Sequence, residues 1–291
     1  MTAEHLRGNI LTDQLTWKLA ADLERLRIIL GTWKRVVVLF SGGVDSTLLL
    51  QAATEVLGPG VVALTFLGTH CPSGELVAAR ETAQHLRVRH LVEAFDPLSL
   101  PEFRDNTPRR CYVCKQEIYR RGWDIAASLG AEALLDGANL DDSEADRPGL
   151  QAARELGVRS PLREAGLGKA QIRELSRIWH LPGWDRPPQS CLATRFPVHT
   201  RLNAEIMGRV DRVETFLRQQ GLDPVRLRVH GDLLRLELPP EHWPRLLSPE
   251  VREALSHMIT DLGWRHLTLD LLGYQSGSMN APPQERITGQ D

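Results

Sequence analysis

Val36-Val37-Val38-Leu39-Phe40-Ser41-Gly42-Gly43-Val44-Asp45-Ser46 decides how this chain is read, and Thr47-Leu48-Leu49-Leu50-Gln51-Ala52-Ala53 follows it directly. A continuous apolar run that opens on three valines suits a strand buried on both faces, as in a parallel sheet. The glycines let backbone N–H groups close on an anion. A helix starting there aims its open N–H groups and positive dipole end at the same point. A simple glycine turn would leave the two serines and the aspartate unexplained. No Gly-x-x-x-x-Gly-Lys-Ser/Thr string occurs in the chain, so this is not a Walker A loop. The stretch reads as strand, phosphate-gripping loop and helix, which makes it a nucleotide site.

Working outward, residues 14–33 read as a leading helix, 35–40 as the first strand and 44–57 as a helix with Val44, Leu48, Ala52 and Val56 on one face. Gly58-Pro59-Gly60 stops that helix, and 61–67 is a second buried strand, parallel to the first. A helix over 74–87, a strand over 90–94, a Pro-containing stretch to Pro108, a helix over 113–129 and a strand over 132–136 continue the alternation. The pattern predicts an α/β fold with a doubly wound parallel sheet. Ligands of such sheets sit beyond the C-terminal strand ends, where strand order reverses. Asp136-Gly137-Ala138-Asn139-Leu140-Asp141-Asp142 is therefore expected as the second wall of the nucleotide site, although a polar turn has the same composition. Helices over 149–156 and 169–179 lead into the proline-rich Leu181–Pro188. The expected domains are 1–198 and a smaller α+β unit over 199–275, with 276–291 a polar tail that frays. The small unit reads as helix 203–220, strands 225–230 and 233–238 joined at Gly231-Asp232, helix 248–262 and strand 265–271.

With 291 residues, 42% apolar and 25% charged, the composition is that of an ordinary folded enzyme-sized chain. A net charge of −2 argues against a protein that coats nucleic acid. The N-terminus is amphipathic and broken by charges, and no stretch approaches membrane-spanning length. The expectation is a cytoplasmic protein with neither a membrane nor a nucleic acid partner.

Four cysteines are too few for a disulfide scaffold. Cys111-Tyr112-Val113-Cys114-Lys115 sits just before the helix expected from Val113, and Cys191 lies far off in Gln189-Ser190-Cys191-Leu192-Ala193-Thr194-Arg195. Three thiolates on a [4Fe–4S] cluster leave one iron open. A structural zinc would want a fourth ligand from His199 or Cys71, a redox CxxC would need no third cysteine, and unrelated thiols are always common. On these residues alone the alternatives stay open. Arg186, Arg195 and Arg201 are near Cys191 in sequence and, if near in space, would favour its thiolate.

The loop at 41–46 resembles that of the PP-loop ATP pyrophosphatases. Together with RCYVCK (110–115), DGANLDD (136–142), DRPGLQAARELGVRSPL (146–162), PPQSCLATR (187–195), LRVHGDLLRLEL (227–238) and GYQSGSMN (273–280), it makes nearly the whole chain similar to LarE, the family of ATP-dependent sulfur transferases. The resemblance implies adenylylation of pyridinium-3,5-biscarboxylic acid mononucleotide, then replacement of oxygen by sulfur to give thiocarboxylates for the nickel-pincer nucleotide cofactor of lactate racemase and related enzymes. The family has two branches. In one, the cysteine at the position of Cys191 surrenders its own sulfur; in the other, it joins a CxxC pair to hold a [4Fe–4S] cluster carrying an extra sulfide. With Cys111 and Cys114 present, this chain resembles the cluster branch.

The resemblance also implies roles. Ser41, Gly42, Gly43, Val44 and Ser46 would hold pyrophosphate, with Asp45 organising Mg²⁺ or the phosphates. Thr65 and Phe66 would meet adenine, and Gly137, Asn139 and Asp142 would complete the ATP wall. Lys115 and Arg195 would neutralise charge as the carboxylate attacks, with Cys191 or a cluster sulfide displacing AMP. Arg226 and Arg228, two apart on an expected strand, share a face and suit the substrate phosphate. Glu214 matches an acidic position of the family's site, though it also reads as a surface glutamate. The resemblance further implies a homo-oligomer, a hexamer, built through the small domain. A tRNA-thiolating PP-loop enzyme would also use three cysteines, but it should display a basic RNA-binding surface or module. An ammonia-using synthetase would leave the cysteines without a role. A regulatory ATP-binding protein would not need the intact loop.

Overall fold

The structure, a computed structural model, describes residues 17–143, 148–187, 189–275 and 279. Most of the 276–291 tail, the residues before Trp17, Asp146 and Arg147 lie outside the described residues. The chain divides into two compact units. The first holds the described residues up to Gly68, with Ser73–Phe103 and Arg109–Gln189; the second holds Thr69–Pro72, Arg104–Pro108 and the described residues from Ser190 on.

In the first unit, α1 (Trp17–Leu30), β1 (Val36–Leu39), α2 (Val44–Leu57), β2 (Val61–Leu67), α3 (Ser73–His85), β3 (Arg89–Ala94), α4 (Arg110–Ser128), β4 (Ala133–Leu135), α5 (Gly149–Glu155) and α6 (Lys169–Ile178) follow in order. The four strands are all parallel, in the order β3-β2-β1-β4. Val36, Val38, Ala63 and Leu135 face a core shared with α1, α2 and α6. Helix α4 covers the opposite face, where a Cβ on Gly122 would meet Leu134 at 2.9 Å and Leu39 at 3.6 Å. Helices on both faces are why Val36, Val37 and Val38 are all fully buried, each contributing about 1.5–3 kcal/mol by leaving water. The doubly wound reading holds. Strand order reverses between β1 and β4, so the loops after those strands part there and leave a crevice.

One reading needs correction. Helix α4 begins at Arg110 rather than about Val113, so Cys111 lies inside its first turn rather than before it, and Cys114 follows at the start of the second. Pro108 reads as a breaker, but a proline just ahead of a helix obstructs no helical hydrogen bond.

The second unit contains α7 (Ala204–Gln219), β5 (Arg226–His230), β6 (Leu233–Glu237), α8 (Pro249–Asp261) and β7 (His266–Leu269). β5 and β6 form an antiparallel hairpin, and β7 runs parallel to β6 on the other side. Asn203 caps α7 by accepting the Ile206 amide at 2.8 Å. Two short excursions of the chain join this unit through backbone bonds: Leu192 N–H to the His70 carbonyl (2.9 Å), His199 N–H to Asn106 (3.0 Å) and Leu202 N–H to Arg104 (2.7 Å). No helix among the described residues is long and apolar enough to cross a membrane.

Candidate active site

The loop after β1 turns at Gly42, whose φ is +76° and where a Cβ would stand 3.1 Å from the Ala79 backbone. Conformation and space both demand glycine there. Gly43 is the N-cap of α2, and no side chain caps that helix. Ser41 and Gly43 are exposed while Val44 and Ser46 are buried, so the open end of the helix faces solvent through the glycine loop. The Ser46 hydroxyl donates to the Gly43 carbonyl (3.0 Å) and lies 3.2 Å from the Ser41 hydroxyl, which fixes the loop's shape. From the other side of the crevice Gly137 packs directly on this helix start. A Cβ there would sit 3.0 Å from the Ser46 nitrogen.

Asp45, in the first turn of α2, pairs with the Lys169 ammonium at 2.6 Å, and its Oδ1 is buried without a hydrogen-bond partner among the described residues. Nothing around Lys169 in the sequence marks it as a site residue. Its amide donates to Asp141 Oδ2 (2.6 Å), which ties α6 to the loop after β4. In that loop Asn139 Oδ1 accepts the Asp141 amide (2.9 Å), and Asp142 Oδ2 accepts the Asn139 amide (3.0 Å). These two side chains brace the turn from within.

The Thr65 hydroxyl donates to the Phe40 carbonyl (2.5 Å), leaving its oxygen to accept from His90 Nε2 at 2.8 Å. Burial, helped by Arg80, pushes the His90 pKa down and favours the neutral ring. The Phe66 side chain packs edge-on against Phe95. Lys115 is exposed and stands 5.5 Å over the Tyr119 ring, and the Tyr119 hydroxyl donates to Asp136 (2.9 Å) at the end of β4. Cys111 is exposed on the first turn of α4, and Cys114 is buried one turn on.

Cys191, Arg195, Glu214, Arg226 and Arg228 all belong to the second unit. Arg195 and Glu214 are fully buried and joined by two hydrogen bonds, at 2.8 and 2.9 Å. Burial by itself would raise the Glu214 pKa. The Arg195 bonds and charge, with Arg218 and the Leu227 amide, outweigh burial and hold the carboxyl below its ordinary value. The remaining Arg195 nitrogen donates to the Ser190 carbonyl (3.0 Å) and hydroxyl (2.6 Å), the Cys191 carbonyl (3.2 Å) and the Thr194 hydroxyl (2.9 Å). Arg228 donates to Glu237 (3.1 and 2.8 Å) and to the Thr194 carbonyl (2.9 Å). Two buried guanidiniums thus grip the turn that presents Cys191. Arg226 donates to the Val225 carbonyl (2.8 Å) and lies 5.3 Å over the Tyr274 ring. Burial and then Arg195 disfavour its charge. Glu214 is a core carboxylate, which its place in the sequence did not reveal.

None of the four cysteines forms a disulfide. Among the described residues no three His, Cys, Asp or Glu side chains gather closely enough to hold a metal ion.

No protein-family model matches the chain. It is 38% identical over 262 residues to an uncharacterised protein of Synechocystis sp., covering 90% of this chain and 98% of the relative. It is 36% identical over 263 residues to the pyridinium-3,5-bisthiocarboxylic acid mononucleotide synthase of Lactiplantibacillus plantarum, covering 90% of this chain and 95% of that one. A shorter match of 31% over 167 residues, to the tRNA-specific 2-thiouridylase MnmA of Caulobacter sp., covers 50% of this chain and 41% of the relative.

Proposed function

This chain belongs to the LarE-type PP-loop sulfur transferases, the family of the pyridinium-3,5-bisthiocarboxylic acid mononucleotide synthase, and from that membership we propose that it adenylylates pyridinium-3,5-biscarboxylic acid mononucleotide and exchanges oxygen for sulfur in nickel-pincer nucleotide synthesis. The observation that carries this reading is the extent of the likeness. It spans 95% of the synthase, whereas the match to the tRNA enzyme covers half of this chain.

The chemistry explains the need for ATP. A carboxylate oxygen does not leave unaided, so the carboxylate first attacks the α-phosphorus and pyrophosphate departs. The N–H groups at Val44 and Ser46, the Gly43 N–H that now rests on the Ser41 hydroxyl (3.4 Å), and the hydroxyls of Ser41 and Ser46 meet the phosphates. Thr65 and Phe66 lie toward adenine, and Gly137, Asn139 and Asp142 shape the facing wall. Asp45 offers a hard oxygen, its partnerless Oδ1, that suits Mg²⁺, which would neutralise pyrophosphate charge. Lys115 supplies an exposed charge for the attacking carboxylate. Arg195, bonded to Glu214, acts by holding the Cys191 turn and lending it positive charge. Arg226 is a buried cation whose surroundings disfavour charge, a shortage that the substrate phosphate would relieve, with Arg228 holding the strand beside it.

Cys111, Cys114 and Cys191 match in type and number the donors of a [4Fe–4S] cluster with one open iron. When bound, it would supply an iron-held sulfide. The second reading has Cys191 give up its own sulfur: Sγ displaces AMP to form a thioester, then the Cα proton is lost to a base, the Cα=Cβ bond of dehydroalanine forms, and the Cβ–S bond breaks with its electron pair on sulfur as the thiocarboxylate. The guanidinium behind its turn favours that reading. A homo-oligomer, a hexamer, formed through the second unit completes the proposal, and the exposed Leu271 and Leu272 there supply apolar surface.

The test is anaerobic turnover with ATP, Mg²⁺ and the pyridinium mononucleotide, followed by pyrophosphate release and by mass spectrometry of the product. Substrate-dependent pyrophosphate with a thiocarboxylate product is expected. Thiolation of tRNA uridine with no reaction of the pyridinium compound would overturn the reading.

A further inference from the structure

Lys169 stands where helix electrostatics disfavour a cation. It is the first residue of α6, and its ammonium reaches 2.6 Å to Asp45 in the first turn of α2. Two helix N-termini, each carrying positive partial charge, therefore meet a lysine, although lysines are stabilised near helix C-termini. Asp45 answers the ammonium, and Asp141 accepts the Lys169 amide. Gly137 packs on the same helix start, so the pair lies at the crevice mouth beside the glycine loop. About a third of the Lys169 side chain remains exposed (35%). A positive charge set against its own surroundings, beside N–H groups that no side chain caps, is an arrangement that a polyanion relieves.

We propose that Lys169 is a catalytic residue of the adenylylation step. When ATP enters, the ammonium leaves Asp45 for the β- and γ-phosphate oxygens and stays with them as pyrophosphate departs. The substrate carboxylate oxygen forms a bond to the α-phosphorus, the bond from that phosphorus to the α–β bridging oxygen breaks, and its electron pair remains on pyrophosphate. No proton moves, so the growing negative charge must be met by fixed cations, and Lys169 is one of them. In the empty site the pair with Asp45 keeps both side chains neutralised. The exchange leaves Asp45 with both oxygens open to a divalent cation. The inference rests on the proposed function only in taking ATP as the nucleotide and its α–β bond as the one that breaks.

Calorimetric titration of the full chain with an α,β-methylene ATP analogue, with pyrophosphate and with AMP, all with Mg²⁺, tests it. Lys169→Met should weaken the analogue and pyrophosphate by about tenfold or more, the loss of a charged hydrogen bond, and leave AMP within about twofold of wild type. Lys169→Arg should recover part of the loss. Lys169→Gln carries the same readout if the methionine variant does not fold. Unchanged binding of the analogue and pyrophosphate, or an equal weakening of AMP, overturns the proposal, because a merely structural lysine would not separate the three ligands. The titration contains no pyridinium compound. A wild type that binds the analogue but forms no thiocarboxylate therefore sinks the proposed substrate and leaves Lys169 standing.

Discussion

The Glu214 carboxylate accepts both Nε and Nη2 of Arg195, at 2.8 and 2.9 Å, and neither side chain reaches solvent. The same guanidinium holds the Ser190 and Cys191 carbonyls, so the pair joins the core of the small unit to the Cys191 turn. Cutting one side of such a pair leaves a buried charge uncompensated. Glu214→Ala should cost about 3–5 kcal/mol, read as a lower urea midpoint with little change in slope. A loss under about 1 kcal/mol would mean that the pair contributes little.

The pH dependence of stability follows from the same carboxyl. Glu214 is held below its ordinary value, so its contribution is fully present above the unfolded carboxyl pKa, near 4.3. It is lost as pH falls through the lower, folded value. Wild type should therefore lose stability steeply below about pH 4, and Glu214→Gln should show a shallower acid limb. Urea midpoints at a series of acid pH values check this, and parallel limbs would contradict it.

Arg226 and Arg228 lie two apart on β5 but should respond differently to substitution. Arg228 makes two hydrogen bonds to one oxygen of the buried Glu237, whose other oxygen Arg235 holds at 3.0 Å, and removing it leaves that carboxylate only partly compensated, so Arg228→Ala should lower the melting temperature and the urea midpoint. Burial and Arg195 disfavour the Arg226 charge. Arg226→Ala should leave stability nearer to wild type and raise KM for the pyridinium mononucleotide about tenfold or more. Equal KM values for wild type and Arg226→Ala would remove that arginine from phosphate binding.

Much of the nucleotide unit is legible in sequence because its signals are local. The limits of α2 and β2 follow from the glycines beside them, and the strand before the loop announces its double burial by its unbroken apolar run. The single turns at Pro101–Arg104, Pro161–Glu164 and Trp243–Leu246 are too short to show a period. Glu214 and Arg195 pair across 19 positions, and Lys169 reaches Asp45 across 124. Asp45 and Arg195 stand in recognisable strings, but nothing in sequence marks these pairings, because the partner in each arrives only through tertiary folding. The start of α4 is hard to read for a local reason: Pro108, two residues ahead of it, has the look of a breaker.

Gly137→Ala tests the wall of the crevice. Its Cβ would stand 3.0 Å from the Ser46 nitrogen and 3.2 Å from the Ser46 Cα, both backbone atoms that cannot swing aside. The loop after β4 and the start of α2 must then separate, at a cost of about 1–3 kcal/mol. ATP affinity should fall more than the melting temperature suggests, because the displaced atoms are those proposed to meet phosphate. Titration with the ATP analogue alongside thermal melting checks this, and unaltered affinity would place the phosphates away from Ser46.

The cysteines give the last prediction, and it separates two sources of sulfur. If a cluster supplies sulfide, anaerobic wild type should contain iron and acid-labile sulfide, and Cys111→Ser, Cys114→Ser and Cys191→Ser should each lose both, because the cluster needs all three thiolates. If Cys191 is the donor, Cys111→Ser and Cys114→Ser should still complete one sulfur transfer, and the protein should lose the mass of H₂S in the peptide containing Cys191. The exposure of Cys111 bears on handling: an exposed thiol on the first turn of a helix is prone to oxidation. Aerobic samples should therefore show a lower iron content than anaerobic ones if the cluster reading holds. Iron-free anaerobic protein that is fully active and converts Cys191 to dehydroalanine would establish the sacrificial route instead.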